Sequence, residues 1–107
     1  MSSHVDVVKW KKMTIFEQMG NIGSEVGRAI SAGKRGDMTS RDNAISRAID
    51  LFDLTVEDLA DRKSPRLCEV LRAKDQFLGL FFDDNFADAA GVEKYFMQFA
   101  FAARIAR

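Results

Sequence analysis

Cysteine, proline, histidine, tyrosine and tryptophan each occur once in this 107-residue chain, and basic and acidic residues balance at 16 each. A single cysteine, Cys68, excludes an intrachain disulfide and any cysteine-based zinc site. Such a chain has no need of an oxidising compartment, and a cytoplasmic location is expected. A single proline leaves long stretches free to be helical. The zero net charge removes any overall field that would draw the molecule onto nucleic acid or an anionic membrane, so an electrostatic partner must be met by a local patch. No apolar run approaches the roughly 20 residues of a membrane span. Residues 1–12 place Val5, Val7, Val8 and Trp10 among charges, unlike a signal peptide. Neither secretion nor a membrane partner is expected. The one histidine, His4, sits near a terminus where general-base geometry is hard to hold, and no catalytic residue is assigned.

What is abundant is helix-forming and apolar: 47% hydrophobic residues and 30% charged, with nine phenylalanines. The length suits one domain with one core. We expect an all-α, antiparallel, up-and-down four-helix bundle with helices near 14–34, 40–54, 65–82 and 92–106.

The first helix opens on Thr14-Ile15-Phe16-Glu17, a capping box in which hydroxyl and carboxylate each satisfy an orphan amide; a start nearer Trp10 is equally compatible. Phe16, Met19, Gly23, Val26 and Ile30 recur at spacings of three and four, flanked by Ile15, Ile22 and Ala29. Glu17, Gln18, Asn21, Ser24, Glu25, Arg28 and Ser31 make the opposite, polar face. Gly33 and Gly36 mark the end. Gly20, Gly23 and Gly27 lie within this helix, each at a cost of about 1 kcal/mol relative to alanine. Close approach of another helix would offset that cost, and all three are assigned as helix-contact glycines. No Gly-x-Gly-x-x-Gly or Walker lysine pattern accompanies them.

The second helix begins at Thr39 or Ser40 and buries Ala44, Ile45, Ala48, Ile49 and Phe52. After Leu54, Thr55-Val56-Glu57-Asp58 either continues it or restarts a short helix. Ser64-Pro65 reads as serine cap and proline first turn of the third helix, with Leu67, Val70, Leu71, Phe77, Leu78 and Phe81 inward. In the fourth helix Val92, Phe96, Phe99, Ala103 and Ala106 form an inner stripe, while Met97, Phe101 and Ile105 form a second on another side. The second stripe belongs either to an oligomer interface or to a central helix of a monomer.

Three charged or reactive features compete as sites. Asp50, Asp53, Glu57, Asp58 and Asp61 form an acidic segment, the basis of a metal-dependent hydrolase alternative, although a solvated face explains them more simply and no metal or cofactor is assigned. Lys9, Lys11 and Lys12 flank Trp10, and Arg62, Lys63, Arg66, Arg72 and Lys74 gather farther on. Contacts to phosphates with Trp10 stacking on a base make nucleic acid a second candidate partner; neutralisation by the acidic segment is another explanation. Cys68 reads as a buried or half-buried structural thiol.

The run from Phe16 to Ala29, with its Gly-Asn-Ile-Gly-Ser-Glu-Val-Gly-Arg-Ala core, resembles the opening of a group of small uncharacterised bacterial proteins. Ala48 to Thr55 and Lys94 to Ala100 match the same group. In size and helix layout the chain also resembles ribosomal intervening-sequence-encoded proteins and accessory proteins of diversity-generating retroelements. That resemblance implies an oligomer, in some cases associated with nucleic acid. Bundle-type ribonucleases carry an Arg and a His on one helix, a pairing this chain lacks. The leading expectation is a non-enzymatic interaction or assembly module that self-associates through Met97, Phe101 and Ile105.

Overall fold

The computed structural model describes residues 6–105, which form five α-helices and no strand. His4 and Ala106 lie outside the described residues. The helix not expected is α1 (Val7–Lys12), capped by Asp6, whose carboxylate accepts from the Lys9 amide. Six residues do not hold a helix alone; burial of Trp10 docks it.

Helix α2 (Ile15–Arg35) starts on the capping box: Glu17 N–H donates to Thr14 Oγ1 at 3.1 Å, and Thr14 N–H to Glu17 Oε1 at 2.9 Å. Gly36 ends it at φ 75°, a left-handed conformation that glycine enters without steric cost. Helix α3 (Met38–Asp61) follows after two residues, Gly36 and Asp37, with Asp37 accepting from the Ser40 amide. It runs unbroken past Leu54, seven residues beyond the expected end at 54, because Thr55, Asp58 and Leu59 are buried and extend its inner face by two turns.

Lys63, at φ 54°, reverses the chain, and Ser64 N–H donates to Leu59 O at 2.9 Å. Pro65 lies in this turn instead of opening the next helix; Ser64 Oγ accepts from Arg66 N–H, and α4 (Leu67–Phe82) starts two residues later than expected. A short 3-10 turn (Phe86–Asp88) leads into α5 (Ala89–Ile105).

Helix α2 packs against both α3 and α5, and α4 closes the far side against α3 and α5. Phe52 sits at the centre, its ring 6.1 Å from that of Phe77 on α4 and 6.0 Å from that of Phe96 on α5. Met19, Ile22, Val26, Ala29 and Ile30 bury the α2 stripe against this cluster. Each large apolar side chain so buried contributes roughly 1.5–3 kcal/mol. On α4 the inner line is Val70, Ala73, Phe77 and Leu80; Leu71, expected inside, is 41% exposed because it lies about 100° round the helix from Val70.

Candidate functional site

Helix α5 has more apolar surface than its core contacts cover. Val92, Phe96 and Phe99 are buried, whereas Met97, Phe101 and Ile105 are 66%, 60% and 67% exposed. A spacing of four places these three along one side. Beside them runs a groove of about 220 Å³ between α2 and α5, floored by the α2 glycines and bounded by Glu93, Phe96, Met97 and Ala100.

The three glycines are not equivalent. A β-carbon at Gly23 would lie 2.9 Å from Phe96 Cβ, too close for any real contact. One at Gly20 would meet the Ala100 backbone at 3.5 Å, ordinary van der Waals contact. Over Gly27 nothing lies within 4 Å. The assignment of Gly27 as a helix-contact glycine is therefore corrected: α5 approaches α2 at Gly20 and Gly23 and leaves Gly27 as an open notch.

Several of the basic candidates are engaged within the fold. Trp10 is 3% exposed and donates from Nε1 to Thr55 Oγ1 at 3.0 Å, so it has no ring face for a base to stack on, contrary to expectation. Its carbonyl accepts from Gln18 Nε2 at 2.9 Å, and the same amide donates to Asp58 Oδ2 at 3.2 Å. Arg62 donates from Nε to Asp58 Oδ1 and from Nη2 to the Lys11 carbonyl. Gln18, expected on the polar face of α2, is thus buried with Thr55 and Asp58 in a polar network that fastens α1 to α2 and α3. Sequence reasoning missed it, although Thr55 and Asp58 at i+3 and i+6 from Phe52 were its signal.

Arg66 stacks over the Phe16 ring at 5.5 Å and lies 3.7 Å from Glu69. Glu69 in turn accepts from Tyr95 Oη at 2.8 Å. Burial, reinforced by the hydrogen bond to Glu69, pushes the Tyr95 phenol well above its ordinary value. Lys63 is committed to the left-handed turn, and Arg72 is exposed on α4. The structure brings Lys11 and Arg62 together but assembles no single basic face from the candidates.

The acidic segment is similarly distributed. Asp53 pairs with Lys74 at 2.8 Å, Asp61 with Lys11 at 3.7 Å, and Asp58 is buried. Among the described residues no three His, Cys, Asp or Glu side chains come together as a cation site. Cys68 is exposed, correcting the expectation of a buried or half-buried structural thiol.

A further cluster was not anticipated. Arg28 and Arg35 of α2 and Arg47 of α3 line an open groove of about 570 Å³ with Ser24, Ser31 and Ser40. No described helix is long and apolar enough to cross a membrane. Comparison with protein-family models, curated proteins and solved structures finds no match to this chain.

Proposed function

We propose that this protein is a non-enzymatic assembly module, an up-and-down four-helix bundle (α2 to α5, with α1 as a strap) that pairs with its own copy through the α2–α5 face. The observation that carries this reading is the juxtaposition on one face of protruding apolar side chains, Met97 and Phe101, and an uncovered notch at Gly27. A two-fold interface needs a patch that is complementary to itself, and a patch holding both knob and notch meets that requirement. Exposed apolar side chains beside a cleft are also the kind of surface that proteins bury in contacts. An interface of standard size takes about 800 Å² from each partner, a modest share of the total surface of 6749 Å².

The test is solution mass over a wide concentration range. The native chain is expected to form a dimer, and Phe101→Glu and Gly27→Leu to be folded monomers. Gly27→Leu is informative because the new side chain enters the notch without meeting any group of its own chain within 4 Å of its β-carbon. A native chain that stays monomeric at all accessible concentrations overturns the reading.

A further inference from the structure

The serine- and arginine-lined groove lies between α2 and α3 and is chemically unlike the apolar notch. On α2, Ser24, Arg28, Ser31 and Arg35 follow at spacings of four, three and four, so they share one side of the helix. Across the groove, Ser40 and Arg47 are two turns apart on α3. The two α2 cations, Arg28 and Arg35, are thereby separated by roughly 10 Å along the helix, the rise of seven residues, and Arg47 joins them from α3.

Each guanidinium is already oriented by a neighbour. Glu25, with only 14% of its side chain exposed, lies between two of them: Arg47 Nε donates to Oε1 at 3.1 Å, and Arg28 Nη1 sits 3.2 Å from Oε2. Arg35 donates from Nη1 to Ser31 Oγ at 2.8 Å and lies 3.7 Å from Asp37. A guanidinium has five N–H donors in a fixed fork, so these partners leave donors over, and all three side chains remain more than half exposed. The groove carries three positive charges against the two of Glu25 and Asp37. Phosphate oxygens match arginine forks in geometry and charge, and serine hydroxyls supply neutral donors beside them. No aromatic side chain lines the groove, so it has nothing on which a base could stack.

We infer that this groove binds a linear oligophosphate, read through its chain of phosphoryl groups alone. A pair of guanidiniums at Glu25, Arg28 and Arg47, with a third at Arg35 about 10 Å farther along α2, favours several phosphates in succession over one. The arginines lie outside the α2–α5 notch, which this groove meets at Ser24 and Gly27.

Calorimetric titration of the full chain with inorganic tripolyphosphate at low salt tests this. Saturable one-to-one binding is expected, with affinity falling as salt rises. Arg35→Gln and Arg47→Gln are each expected to weaken it about tenfold, as for loss of one charged hydrogen-bonding group, while Arg72→Gln on α4 leaves it unchanged. Unaltered melting of the variants shows that they are folded. Absence of binding, equal weakening by Arg72→Gln, or inorganic monophosphate binding as tightly as tripolyphosphate overturns the inference. So does a single-stranded oligonucleotide that binds while tripolyphosphate does not.

Discussion

Gly23 is the position at which a missing side chain matters most, because Phe96 occupies the space a β-carbon would take. Gly23→Ala must push α5 outward and is expected to destabilise by about 1–3 kcal/mol, the usual cost of overpacking. Gly27→Ala meets nothing and gains helix propensity, so it is expected to stabilise the monomer by up to about 1 kcal/mol. Urea denaturation of the two variants checks both signs. Tyr95 makes a second prediction at this scale. Its phenol is neutral in both folded and unfolded chains below pH 10, the ordinary value; above that the unfolded chain ionises while the folded one does not. The stability it contributes is therefore complete below pH 10 and is lost as pH rises beyond. Relative to the native chain, Tyr95→Phe should show a shallower loss of stability above pH 10. Neither effect was legible in the sequence: three similar glycines on one helix differ only in what another helix places above them.

At the scale of the element, α1 shows how a segment gains structure from its partners. Trp10 among three lysines reads in sequence as an exposed aromatic; in the fold it is the anchor of the strap. Its indole N–H has Thr55 Oγ1 as acceptor in a buried setting. Thr55→Val removes that acceptor and is expected to cost about 1–3 kcal/mol, the penalty of an unsatisfied buried donor. If the hydrogen bond is responsible, Trp10→Phe in that background should cost less than in the native chain, giving a nonzero coupling in a double-mutant cycle. Denaturant midpoints of the four chains measure it. The long helices were more legible, since their periodicity and end signals are local. The capping box at Thr14 and the left-handed Gly36 stand where the sequence places them. The run past Leu54 was not decided locally, because Thr55 to Asp58 satisfies both a continuing helix and a new start.

For the whole molecule, the proposed pairing through the exposed α5 stripe has a thermodynamic consequence. A dimer that is lost on unfolding has a melting temperature that rises with protein concentration. The native chain is expected to show that rise, and Phe101→Glu to melt at a temperature independent of concentration. Differential scanning calorimetry over a hundredfold range of concentration separates them. Balanced charge leaves the proposed association without strong long-range repulsion.

By itself the sequence determined the all-helical class, the ends of α2 and most of the core, because apolar spacing and capping chemistry act within a few residues. It also marked Met97, Phe101 and Ile105 as a stripe separate from the core of α5. Only the tertiary structure decided that Trp10 is an anchor, that Gly23 is crowded while Gly27 is open, and that Arg28, Arg35 and Arg47 share a groove. Those outcomes depend on which side chains distant parts of the chain bring into contact, and no local pattern encodes the distance between two helices.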